Sequence, residues 1–192
     1  VFPREIKSCA SPSVCERIFR DIPIIVRDSV STTELSTGEI QIRWIAPDVT
    51  KIRADIYPPP YFYWVERKAT TGGAEFQRIN EDALAFEDTN YYDTNLNTME
   101  EGWTYRIVLA NRSVADPNVL EEIGIGDSAS SVFLTINPIN LALQLSWRED
   151  VPWDNEEYGI WRSTIGKEGP FELLATVTEV ESRYKDSPFL HT

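Results

Sequence analysis

The residues of this chain whose types could do chemistry are mostly acids. Adjacent pairs stand at Glu81/Asp82, Glu87/Asp88, Glu149/Asp150 and Glu156/Glu157. Glycoside hydrolysis needs two carboxyl groups facing one bond across a fixed separation. Neighbours on a strand point to opposite faces and do not converge, and in a chain with 31 acidic residues such pairs arise by chance. His191 is the only histidine. A Ser–His–Asp arrangement would need it held rigidly, and a loop histidine is the plainer reading. No catalytic constellation emerges, so the chain reads as a non-enzyme.

Calcium is the metal these residue types suit best. Asp93-Thr94-Asn95-Leu96-Asn97 places oxygens at the first, third and fifth positions of an EF-hand loop. Thr98 stands where that loop needs glycine, however, and Thr104 where it needs glutamate, so Leu96 reads instead as a core residue at a corner. The loop from Arg148 to Glu157 offers a looser oxygen cage of Asp150, Asp154 and Glu156, with a solvated turn as the alternative. Two cysteines and one histidine are too few for zinc, and no other cofactor is expected. Cys9 and Cys15 fit a small disulfide loop turning at Pro12, or two reduced or separately paired thiols. Trp103 and Trp153 lie near loops. An indole there could stack on a sugar or a protein partner, although packing in a core or at a domain junction is commoner. Asn111-Arg112-Ser113 matches a glycosylation sequon, a pattern short enough to arise by accident.

The balance of charge narrows the partners. A net charge of −13 sits on a chain that is 42% apolar and 11% aromatic, too apolar for disorder. Nucleic acid and anionic membrane both require clustered Lys and Arg, so neither is expected. No apolar run reaches the roughly 18 residues of a membrane helix, so no direct membrane insertion is expected. The acidic excess reads as a solubility coat.

The elements that would position these residues are strands. In Gly38-Glu39-Ile40-Gln41-Ile42-Arg43-Trp44, the apolar residues share one parity and the polar ones the other, which is a strand with one buried face. Leu141-Ala142-Leu143-Gln144-Leu145-Ser146-Trp147 repeats the pattern, so the chain contains a repeated β unit with Trp44 and Trp147 as matching core residues. Residues 21–137 read as a complete unit of seven strands. The first runs from Pro23, as an edge strand tolerates. Tyr61 to Arg67 is aromatic on both faces, and Tyr105, Ile107 and Leu109 point inward. A loop of Asn111 to Ser128 follows, and Val132 to Ile136 is the closing strand. Residues 138–192 read as the N-terminal part of a second unit. In it Tyr158, Ile160 and Arg162 match Tyr63, Val65 and Arg67, and Tyr184 to Ser187 match Tyr91 to Thr94. Its last two strands are not found, so the expectation is an excerpt from a longer array or strands supplied by another chain. Ser8 to Ile18 parallels Asp127 to Ile136, so residues 1–20 read as the last strand of a preceding unit.

These features together resemble fibronectin type III modules: a strand-ending Trp44, Tyr105 after the Leu96 corner, and about seven strands per repeat. The resemblance implies an all-β chain of tandem immunoglobulin-like sandwiches, the flanking ones incomplete. It also implies a tryptophan on the core and a tyrosine tying the sixth strand to the loop before it. More narrowly, Asp21-Ile22-Pro23-Ile24-Ile25, Ile40 to Trp44, Tyr63-Trp64-Val65-Glu66-Arg67, Tyr92 to Asn97 and Ala129-Ser130-Ser131-Val132 resemble tandem modules of large gliding-motility-associated surface proteins of Bacteroidota. That likeness implies a secreted or cell-surface setting and type IX secretion, although the Asn-Gly-Asp-Gly kind of sorting motif does not occur in this sequence. The function then expected is a non-enzymatic spacer and adhesion segment. Its partners would be neighbouring modules, a surface glycan or protein, or the secretion machinery. The alternative is an accessory module of a secreted polysaccharide-degrading enzyme.

Overall fold

The computed structural model describes residues 21–140, 142–148, 150–167, 169–178 and 183–186. The expected N-terminal strand, Cys9, Cys15 and His191 lie outside the described residues. Strands β1 (Ile24–Thr32), β2 (Gly38–Ile45) and β6 (Asn90–Leu96) form one antiparallel sheet in the order β1-β2-β6. Facing it is the sheet β4-β3-β7-β8, made of β4 (Gln77–Arg78), β3 (Tyr61–Ala69), β7 (Trp103–Arg112) and β8 (Leu120–Ile125). The short strands β5 (Leu84–Ala85) and β9 (Ala129–Ser130) add to β3 and β7.

Alternation decides which face each strand buries. Ile40, Ile42 and Trp44 come from one sheet and Tyr63, Val65, Tyr105, Ile107 and Leu109 from the other, and all enter a single core. Trp44 meets Tyr63 edge to face at 5.3 Å, and Phe86 stacks on Tyr63 at 5.6 Å, the offset and T-shaped geometries aromatic rings prefer. The free edge of β3 is sealed by a side chain. Between β4 and β5, the Asn80 carboxamide accepts from the Val65 amide at 2.8 Å and donates to the Asp82 carbonyl at 2.8 Å. The corner at the end of β6 turns at Asn95, whose φ of 60° is a conformation asparagine tolerates, and sends Leu96 into the core. Gly38 lies against this corner, where a Cβ would come within 2.7 Å of the Leu96 carbonyl.

A second, smaller sandwich contains β10 (Phe133–Ile139), β11 (Ala142–Arg148), β12 (Glu157–Arg162), β13 (Glu172–Thr178) and β14 (Arg183–Asp186). Its sheets are β10-β11-β14 and β12-β13, around Trp147, Ile160 and Val177. Trp147 meets Tyr158 at 5.2 Å, repeating the Trp44–Tyr63 contact. The registers repeat too. Tyr91 and Asp93 stand opposite Ile42 and Ile40, and Tyr184 and Asp186 stand opposite Leu145 and Leu143, which is the correspondence the sequence indicated.

Two expectations need correction. The stretch Asn111 to Ser128 is not one loop, because β8 lies within it and pairs with β7 from Arg112↔Leu120 to Val108↔Ile125. The acid pair Glu121/Glu122 and the glycines at 124 and 126 hide its alternation. Nor does Val132 to Ile136 close the first sandwich. β8 and β9 do that, while β10 pairs with β11 from Phe133↔Arg148 to Ile139↔Ala142. A boundary at 137/138 therefore falls inside a strand, and strand pairing places the division at Val132. The outcome for exposure is large. Leu134 opposes Trp147 as Ile25 opposes Trp44, yet Leu134 is 48% exposed where Ile25 is 1%.

Candidate functional site

The sandwich interior holds a polar cluster that no pattern in the sequence announced. On β1 a register shift between Ile25 and Arg27 re-aims the strand, so that Asp28 opposes the buried Ile42 and faces inward. β-bulges redirect side chains in this way. Asp93, on the inner face of β6, faces Arg67 of β3 and Tyr105 of β7. The Arg67 guanidinium donates to Asp93 Oδ2 at 2.6 Å, and the Tyr105 hydroxyl donates to the same oxygen at 2.9 Å. Arg67 also lies 4.5 Å from the Trp103 ring. One carboxylate thus clamps both sheets through a charge-assisted pair and a neutral donor.

Asp28 is different. Both of its carboxylate oxygens are sealed from solvent and have no hydrogen-bond partner among the described residues. Burial, and secondarily the charge of Asp93, pushes its pKa well above the usual carboxylate range. Burial, then the Asp93 charge and hydrogen bond, likewise raises the Tyr105 hydroxyl, which keeps it a donor. The cluster is an internal clamp with a misfit acid.

Tyr105 departs from the expected role. It ties its strand to a side chain on β6, and the tie to the preceding loop is made by Trp103, whose indole Nε1 donates to the Asn97 carbonyl at 3.0 Å. Tyr105→Phe should lower unfolding free energy by about 1.5–3 kcal/mol, the usual worth of a hydrogen bond to a charged group. Urea denaturation would measure this, and a loss below about 0.5 kcal/mol would show the bond to be idle.

The remaining expected sites resolve as follows. Trp103 is half-buried and engaged as above, so it is not a free stacking platform. Trp153 packs with Val151 on the core of the first sandwich, and its indole Nε1 donates to Asn155 Oδ1 at 3.2 Å. It is a junction residue. Asp150, Asp154 and Glu156 do not gather: among the described residues no three His, Cys, Asp or Glu side chains come together as metal ligands. Asp150 instead serves through its backbone, its carbonyl accepting from the Ser130 amide at 2.7 Å and its amide donating to Ser130 Oγ. The sequon residue Asn111 is 1% exposed, and its amide donates to the Pro58 carbonyl at 3.2 Å, so it offers no acceptor to a glycan. Leu96, Trp44 and Trp147 are buried as expected.

The junction was not legible from any motif. The last inter-strand bond of the first sandwich runs from the Ser131 amide to the Trp103 carbonyl, and the first pair of the second is Phe133↔Arg148. Only Val132 stands between them. Glu34 and Lys167 add an ion pair across the two sandwiches.

No family model matches the chain, and no curated protein does. Among solved structures it is similar to the chicken CNTN1 FN1-FN3 domains, at 16% identity over 87% of this chain and 56% of that one, with a TM-score of 0.32. It is also similar to a two fibronectin type-III domain segment from chicken tenascin, at 14% identity over 87% of this chain and 83% of that one, with a TM-score of 0.32. Strand order, inward alternation and repeated registers make the fold all-β, a tandem of immunoglobulin-like, fibronectin type III-like sandwiches.

Proposed function

We propose that this chain is a non-enzymatic spacer and adhesion segment, two units in a stiff extracellular string. The observation that carries the reading is the junction. Ser130 bonds Asp150 through its amide and its hydroxyl, Val151 and Trp153 pack on the first core, and Val132 alone separates the two strand networks. A connection so short holds successive units in one orientation, which suits a part whose work is to carry a surface to a distance. The setting we propose is a large secreted or cell-surface protein of the gliding-associated kind, exported by type IX secretion. Neighbouring modules would be its constant partners, and a surface glycan or protein its adhesive one.

Small-angle scattering of the whole chain tests the mechanical part. One rigid arrangement should fit the profile, with a maximum dimension that does not change between low and high salt. Trp153→Ala combined with Ser130→Ala should broaden the distance distribution without loss of strand content by circular dichroism. A parent chain that scatters as two freely jointed bodies would overturn the reading.

A further inference from the structure

The outward face of the sheet β4-β3-β7-β8 carries aromatic rings, each covered by cations. The Arg78 guanidinium lies 3.8 Å from the Trp64 ring, Arg106 and Lys68 lie 4.2 Å and 4.7 Å from Phe76, and Arg112 lies 5.2 Å from Phe62. Pairing puts Arg78 and Arg106 on either side of Glu66 in one row across three strands. Glu66 satisfies Arg106 at 2.6 Å, and Arg112 donates to the Pro117 carbonyl. Arg78 and Lys68 have no hydrogen-bond or ion-pair acceptor among the described residues.

We propose that this face is a binding site for an acidic polysaccharide, with Arg78 and Lys68 taking uronate carboxylates. A guanidinium laid on a ring keeps its N–H edge outward and its side chain ordered, which lowers the entropy lost when an anion arrives. The attraction is local. The chain carries −13 overall, but at physiological salt charges beyond about 8 Å are screened, so the cations of this face act on what touches it.

The shape of the face selects a polysaccharide over other polyanions. A peptide gains most by adding a strand to a free sheet edge. On the side that carries Arg78 and Lys68 the edge is only the two-residue β4 and β5, with Asn80 bonded to β3 between them, while the longer β8 edge lies on the far side of the sheet. A single-stranded nucleic acid gains by stacking bases on open rings, and here the rings are covered by cations. Acid groups spaced along a chain of flat sugar rings need neither an edge nor an open ring. The proposal rests on the adhesive part of the reading above, while scattering tests the mechanical part, so the two can fail separately.

The test is affinity electrophoresis of the whole chain in gels containing polygalacturonate, dextran, polyglutamate or oligothymidylate at about physiological salt. Polygalacturonate alone should retard the protein, and 0.5 M NaCl should release it. Lys68→Gln with Arg78→Gln should weaken retardation about tenfold, the sum of two exposed ion contacts, with strand content unchanged. If that pair of changes disturbs the fold, Arg78→Gln alone serves. Absence of retardation by polygalacturonate, equal retardation by polyglutamate or oligothymidylate, or variants that bind as the parent does would each overturn the proposal.

Discussion

Asp28→Asn should raise the melting temperature of the first sandwich at pH 7 and leave it unchanged near pH 4. Asp28 is an acid with both oxygens buried and unpartnered, facing Asp93 with Arg67 and Tyr105 behind it. Its folded pKa is raised, so the folded state holds a proton that the unfolded chain releases in the usual carboxylate range. Stability from this group is therefore fully present below about pH 4 and is lost as pH rises toward the folded value. Each pH unit across that window costs about 1.4 kcal/mol. Asparagine has no proton to keep, so the variant should be the more stable of the two at pH 7. The register-matched position in the second sandwich, opposite Leu145, is Ile136, which is exposed there. The strand pairing itself does not require an acid at this position. Thermal melts of parent and variant at pH 4, 5.5 and 7 decide it, and a variant less stable than the parent at pH 7 would refute the account.

Arg67→Met should have the opposite sign and a larger size. The change keeps an unbranched side chain but removes the guanidinium that lies over the Trp103 ring and pairs with Asp93, so Asp93 is left without its counter-charge. Breaking one side of a buried pair costs about 3–5 kcal/mol, mostly through the stranded partner. A quarter of the Arg67 side chain is exposed, so the lower end, about 3 kcal/mol, is expected. If stranding is the cause, Asp93→Asn added to Arg67→Met should recover at least about 1 kcal/mol. Urea denaturation followed by tryptophan fluorescence measures both. Strict additivity of the two changes would place the loss in packing and not in charge.

The parts of the fold that the sequence made legible were those where alternation is undisturbed. Ile40-x-Ile42-x-Trp44 and Tyr105-x-Ile107-x-Leu109 each carry three large apolar residues on one parity, and each enters the core as that pattern requires. The repeat was legible through the same residues. What stayed hidden follows from local breaks in period. Glu121, Glu122 and Gly124 dilute β8 until it reads as loop, and so the role of closing strand passed in error to Val132–Ile136. The bulge after Ile25 turns Asp28 inward, an event that depends on pairing with β2 and leaves no mark in β1 itself. The clamp of Asp93, Arg67 and Tyr105 joins residues of three strands that only the facing of the sheets brings together. The sequence picks out all three for other reasons: Asp93 as the first oxygen of an EF-hand-like stretch, Arg67 as a repeat match to Arg162 and Tyr105 as an inward core residue. Asp150 drew notice as a carboxylate, whereas the junction uses its backbone, which no residue type reveals.

Val132 has a consequence for scale. A flexible tether lets successive segments forget one another's direction, and span then grows only as the square root of their number. With a single residue as the hinge, and bonds closing over it on both sides, direction is handed on from unit to unit. In any polypeptide that repeats this connection, length grows nearly in proportion to the count of units. Lengthening the string by one copy would then move its tip by about one full copy.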